Sequence, residues 1–360
     1  MHITIAERFR PFTHLPGTCV LLPLAKLRFQ IYPAFIRVCD LSVADPVLIA
    51  EISLNLQGPL NEFTVMQDLE KGCLKVWGFS KKGFFRYRIH ATTSFPGFTL
   101  IKEKVPEETS VSYLPEIYCK EQPYLEMHQP ERLSFGVTKV ADWELVRRRM
   151  TLSEILPFWF RLGQLIPSID PHDAGTASLL KVLKSDLTEK KLLDLSLHLK
   201  DLYCVGFEGL LSCSLVDPYC QGISLPEVPN GSSCSPLLLL TGGAKIIRQM
   251  FLYISQESSS ALEASFIEIL PCLLPELHAG RICGASLSTL GLIDLEWSKK
   301  KIRKMIFHST KNQIIYFQFQ AGISSFRLRE ASSTICITKA CGESIVCVEN
   351  STYFFDHFQH

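Results

Sequence analysis

Residues 266–297 read FIEILPCLLPELHAGRICGASLSTLGLIDLEW. Phe266, Ile267, Ile269 and Leu270 form an apolar run that Pro271 and then Pro275 interrupt. Proline fixes φ and has no N–H to donate, so regular structure stops at both positions. Gly280 and Gly284 permit tight bends. From Ile293 the pattern has a period of two, with Ile293, Leu295 and Trp297 alternating with Asp294, Glu296 and Ser298. That alternation predicts a half-buried strand. A connector with fixed corners thus delivers the chain into a terminal sheet.

Outward from this stretch the two sides differ. Downstream, strands are expected over 302–309, 313–319 and 323–329, with short ones at 335–338 and 344–349, as a meander. Upstream, apolar residues recur at helical spacing over 143–150 and 151–166, where Thr151 and Glu154 suggest a capping box and Pro157 a kink. A helix follows over 174–187. Another over 188–211 carries the stripe Leu192, Leu195, Leu199 and Leu202. Residues 217–236 have loop composition, and a last helix over 237–256 is interrupted by Gly242 and Gly243. Pro106, Pro115, Pro123 and Pro130 mark 106–140 as a linker. Ahead of it, 19–41, 47–56, 73–79, 84–93 and 98–105 read as short strands of an antiparallel sandwich.

With 360 residues, 47% hydrophobic and 20% charged, the composition is globular. The net charge is +1, so no global field draws the chain to nucleic acid or an anionic membrane. The runs Arg147, Arg148, Arg149 and Lys299, Lys300, Lys301 are short enough for ordinary solvated surface. Thirteen cysteines, an odd number, contain no C-x-x-C pair and predict free thiols in a reducing compartment. Cys213, Cys220 and Cys234 are a conceivable zinc set, but their spacing fits no standard site. No metal and no cofactor is expected. The N-terminal MHITIAERFRPFTHLPG has no apolar core of a signal peptide. The apolar segments 152–166 and 236–254 carry Arg161, Lys245 and Arg248, and read as core helices rather than membrane spans. A soluble, cytoplasmic protein is the expectation.

The region from about residue 240 to about residue 320 resembles the end of the catalytic barrel in α-L-fucosidases of the inverting, toroid-type glycoside hydrolases. That family closes its helical barrel with a helix, a leucine-proline connector, a glycine, and a strand alternating valine, aspartate, isoleucine, glutamate and tryptophan. Leu270-Pro271, Pro275, Gly280, Gly284 and Ile293 to Trp297 follow this pattern, and IIRQMFLYIS at 246–255 is similar to the last barrel helix. The connector has one extra residue. His278 stands in place of a tryptophan, and Ser286, Ser288, Thr289 and Leu290 replace an arginine- and glycine-rich run. The resemblance implies a front sandwich, a helical toroid and a rear β-domain.

The fold class expected is therefore α+β. It comprises an N-terminal antiparallel β-sandwich (1–105), a linker (106–140), a short central helical domain (141–265) and a C-terminal antiparallel β-sheet (266–360). The helical domain is expected as a reduced α/α toroid or a bundle.

Glycoside hydrolysis needs an acid for the leaving oxygen and a base for water. Only about 115 residues separate linker and terminal sheet, too few for a full toroid, and none of the family's catalytic segments has a match. Asp170, His172 and Asp173 are the best polar cluster, as an acid/base pair, as a metal site or as helix-capping residues. Glu208 and Asp217 bracket a bend and face either a cleft or solvent. For carbohydrate binding without catalysis, Trp77, Phe79, Phe84 and Tyr87, with neighbouring Arg86 and Arg88, offer an aromatic platform, or else part of the sandwich core. The expected function is a degenerate glycoside-hydrolase-like protein that binds carbohydrate or a protein partner. The alternatives are an active inverting hydrolase with a relocated or oligomer-completed site, and a scaffold for a partner protein.

Overall fold

The computed structural model describes residues 2–43, 46–94, 96–115, 123–125, 127, 131–136, 140–169, 177–206, 235–256 and 265–359. The front of the chain is a sandwich of short strands. They are β1 (Phe12–Thr13), β2 (Thr18–Leu21), β3 (Leu27–Ile31), β4 (Phe35–Asp40), β5 (Val47–Leu54), β6 (Asn61–Asp68), β7 (Cys73–Ser80), β8 (Gly83–Ala91), β9 (Phe98–Lys104) and β10 (Val111–Leu114). One sheet has the order β1-β6-β7-β8-β9 and the other β10-β5-β4-β3-β2. Every pairing is antiparallel. The inner faces meet through Phe29 and Phe98, whose rings cross edge to face at 5.2 Å. Buried Gln67 donates from Nε2 to the Leu21 carbonyl at 2.8 Å, which ties β6 to β2.

The stretch expected as a linker contains two strands. Val111 to Leu114 pair with Leu54 to Glu51, and β11 (Arg132–Ser134) pairs with the rear sheet. Proline disrupts a ladder only where its missing N–H is needed. Pro106 and Pro115 flank β10 instead of entering it.

The helices are α1 (Trp143–Arg149), α2 (Leu152–Leu165), α3 (Ser178–Thr188), α4 (Leu192–Gly206) and α5 (Pro236–Phe251). Asp142 caps α1 by accepting from the Glu144 N–H at 3.1 Å, and Met150 closes it with a left-handed φ of 49°. The capping box does not form. Thr151 donates to the Arg149 carbonyl, and the Glu154 carboxylate accepts from Arg149 Nε at 2.6 Å. Pro157 leaves α2 continuous, at the loss of the N–H that would meet the Ser153 carbonyl. The helix expected over 188–211 starts at Leu192, because Glu189 and Lys190 turn the chain out of α3. Of its stripe, Leu195, Leu199 and Leu202 are fully buried, and Leu192 at the first turn is half-buried.

Gly242 and Gly243 do not interrupt α5; they let it pack. A Cβ on Gly243 would sit 2.1 Å from Trp159 Cζ2, and one on Gly242 2.7 Å from Leu180 Cδ1. On α2, a Cβ on Gly163 would lie 2.4 Å from the Ala244 Cβ. Trp159 is fully buried and donates from Nε1 to the Leu240 carbonyl at 3.0 Å. The seam between α2 and α5 is thus filled with side chains.

The rear of the chain is a second sandwich rather than a single sheet. α5 ends at Phe251, and β12 (Leu252–Gln256) pairs with β13 (Ser265–Ile269), so the run 246–255 is half helix and half strand. β14 (Ala279–Ser286), β15 (Gly291–Ser298), β16 (Lys301–Ser309), β17 (Gln313–Gln318), β18 (Ser325–Glu330), β19 (Cys336–Ala340), β20 (Ser344–Cys347) and β21 (Thr352–Gln359) follow. The expected meander breaks after β16. β17 crosses to a four-stranded sheet, β12-β13-β17-β20, and lies parallel to β13. The antiparallel seven-stranded sheet has the order β11-β14-β15-β16-β21-β18-β19. Ile293, Leu295 and Trp297 are buried on its inner face, as their alternation predicts. One buried apolar cluster runs through both sandwiches and the helices.

Candidate functional site

The site is assembled on the outer face of the β1-β6-β7-β8-β9 sheet. Along β7, Leu74 and Val76 point to the core, so the pleat turns Lys75, Trp77 and Phe79 outward. Along β8, Phe85, Tyr87 and Ile89 are buried, and Phe84, Arg86 and Arg88 face out. The hairpin register places Trp77 opposite Arg86, Phe79 opposite Phe84 and Lys75 opposite Arg88. Phe79 remains 43% exposed, and its ring meets Phe84 edge to face at 5.3 Å. Arg86 lies over the Phe84 ring at 6.0 Å and the Lys104 ammonium at 5.6 Å. β9 has a bulge against Arg86 and Tyr87, where Glu103 bridges two guanidiniums. Its carboxylate lies 2.6 Å from Arg86 Nε and also pairs with Arg88.

A groove of about 680 Å³ opens beside Trp77. A register shift in β6 between Asn61 and Thr64 makes it, with Glu62 held at a φ of 50°. Bulges of this kind re-aim side chains. Here Asn61 and Glu62 are turned to solvent. His14 lines the same groove, with Nδ1 3.0 Å from Thr64 Oγ1 and 3.2 Å from the Phe63 carbonyl. Phe12 and Trp77 form its apolar walls.

At one end of this face, Asp68, Cys73 and His90 lie in register across three strands. Residue types alone suggest a nucleophile with its base and orienter. The environment argues otherwise. Burial, and next the Asp68 carboxylate, push the Cys73 thiol up to about 11. Burial, and next Arg88, hold the His90 imidazole below its ordinary value. Thiol and imidazole are both neutral, and Tyr124 covers His90 at 4.7 Å between ring centroids. Native protein at about pH 8 is expected to leave Cys73 unalkylated by iodoacetamide, as peptide mapping would show. Alkylation as fast as in a denatured control would contradict this.

A second cleft, of about 320 Å³, lies between the N-terminal arm and the start of α2. Glu7, Arg8, Arg10, Arg149, Ser153 and Glu154 line it above Phe9. Its nearly buried Glu154 is held by Arg149, and Arg10 pairs with Asp68 at 3.1 Å. Beneath, Glu70 accepts from the Phe9 N–H and from Arg132, each at 3.2 Å. Arg132 and Arg161 flank the Phe9 ring at 5.4 and 5.8 Å. This network fixes the arm to the helices. A carboxylate ringed by donors accepts hydrogen bonds and does not donate them.

Of the residues singled out in the sequence, Trp77, Phe79, Phe84, Arg86 and Arg88 share the outer face. Tyr87 does not: the pleat sends it to the inner face, where it is fully buried. Asp170, His172, Asp173, Glu208 and Asp217 lie outside the described residues. So do Cys213, Cys220 and Cys234. Glu103, Lys104, Asn61 and His14 were not singled out, because cross-strand register and bulges bring them to the face. Among the described residues no three His, Cys, Asp or Glu side chains form a metal-sized group, and no helix is long and apolar enough to cross a membrane. No protein-family model matches the chain, and no curated protein matches it.

Proposed function

We propose that this chain is a carbohydrate-binding protein without hydrolytic activity, a degenerate relative of the toroid-type glycoside hydrolases. The observation that carries this proposal is the outer face of the front sheet. There, Trp77 and the Phe79–Phe84 pair stand beside a groove of mixed donors and acceptors. A sugar ring has apolar C–H faces and a rim of hydroxyls. Aromatic rings match the first, and Asn61, Glu62 and His14 match the second. The helices support the non-catalytic half, since the seam between α2 and α5 has no room even for a Cβ at Gly163 or Gly243. Trp77→Ala is expected to weaken glycan binding by roughly thirtyfold, as removal of an aromatic anchor does. Unchanged affinity in calorimetric titration would overturn the proposal.

One observation favours an active hydrolase instead: Glu7 and Glu154 both line the 320 Å³ cleft. A panel of aryl glycosides separates the two. No turnover is expected; turnover lost in Glu7→Gln and Glu154→Gln would establish the hydrolase.

A further inference from the structure

The outer face has a charge pattern that narrows its ligand. Lys75, Arg86, Arg88 and Lys104 stand among its aromatic side chains, and the carboxylate among them is Glu103. Lys75 and Lys104 make no ion pair among the described residues. The chain as a whole carries only +1, so this excess is local to the face. The groove beside Trp77 differs: Asn61, Glu62 and His14 offer donors and acceptors together.

We infer that the ligand is an acidic glycan, with its hydroxyl-bearing rings in the groove at Trp77 and its carboxylate or sulfate groups against Arg86, Arg88, Lys75 and Lys104. This rests on the carbohydrate-binding proposal and adds the sign of the ligand's charge. Planar guanidiniums hold carboxylate and sulfate through paired N–H donors. Glu103 already shows the two arginines sharing one carboxylate, and it fixes their side chains in place. A neutral glycan has no use for the four cations. A nucleic acid fits the aromatic and basic part, but Glu62 in the groove calls for hydrogen-bond donors, which sugar hydroxyls supply and a phosphodiester does not.

The test is titration of the intact protein with a polyuronate, a sulfated glycan, a neutral glucan and single-stranded poly(dT), at low and at moderate salt. The two acidic glycans are expected to bind most tightly and to weaken as salt screens the contact. Arg86→Gln with Arg88→Gln is expected to lower their affinity roughly tenfold to a hundredfold. Lys75→Glu with Lys104→Glu, on exposed or half-exposed side chains where folding is safe, moves it the same way. Glu103→Gln works oppositely and tightens binding. Equal affinity for the neutral glucan, with no effect of these changes, overturns the acidic ligand and leaves the carbohydrate proposal standing. Silence from every glycan overturns both. Tightest binding to poly(dT) replaces the glycan with a single-stranded nucleic acid.

Discussion

Gly243→Val is expected to destabilise the protein by about 3 kcal/mol or more, beyond an ordinary overpacking change. The Cβ of any residue at 243 meets Trp159 Cζ2 at 2.1 Å. That indole cannot withdraw, because it is fully buried and its Nε1 is held by the Leu240 carbonyl at 3.0 Å. Nor can the helices move apart cheaply, since Gly163 and Ala244 fit equally closely along the seam. A domain of ordinary stability has only about 5–15 kcal/mol in total, so such a loss is readily seen as a lower urea midpoint. Gly243→Ala is the control. In an open helix it would stabilise by up to about 1 kcal/mol through propensity. Here it is expected to destabilise. Stabilisation by alanine would mean that α2 and α5 leave room between them, as the helices of a hollow ring do, and the solid seam would be wrong.

Trp297→Ala is expected to cost about 4 kcal/mol, in the range for deleting a buried aromatic side chain. Trp297 is buried between Phe251, stacked at 5.3 Å, and Phe135, edge-on at 6.0 Å. Gly280 lies so close that a Cβ there would be 2.3 Å from Cζ2. The indole also donates from Nε1 to the Leu277 carbonyl at 3.2 Å, which the change leaves without that partner. This side chain joins the end of α5 to the rear sheet. Trp77→Ala, at a half-buried position on the outer face, is expected to cost no more than about 1 kcal/mol. Urea unfolding of the two variants side by side separates a tryptophan that holds the fold from one available to a ligand. Equal losses would place Trp77 in the structural core and remove it from the site.

The two tryptophans also show what the sequence makes legible. Ile293, Leu295 and Trp297 alternate with polar residues, and a pleat with one face to the core reproduces that alternation directly. The same rule, applied strictly to β8, excludes Tyr87 from any face that holds Arg86 and Arg88. Side-chain chemistry alone groups Tyr87 with its sequence neighbours, whereas the period of two separates them. Glycine and proline were harder, because the same residue types break a helix or permit one. Gly242 and Gly243 differ from interruptions only through what packs on them, namely Leu180 and Trp159. Those partners are distant in sequence. The edges of the site were illegible for a related reason. Glu103 and Asn61 reach the outer face through register shifts in β9 and β6, which pairing with a neighbouring strand decides. β17 leaving the meander for the second sheet is likewise a long-range outcome, set by its parallel pairing with β13.

The protein has four tryptophans, and three of them, Trp143, Trp159 and Trp297, are at most 1% exposed. Acrylamide quenching of native fluorescence therefore reports chiefly on Trp77. A bound acidic glycan is expected to remove the quenchable fraction, and Trp77→Ala to lack it from the start. Glycan binding that leaves that fraction untouched would put the ligand elsewhere and contradict the binding face.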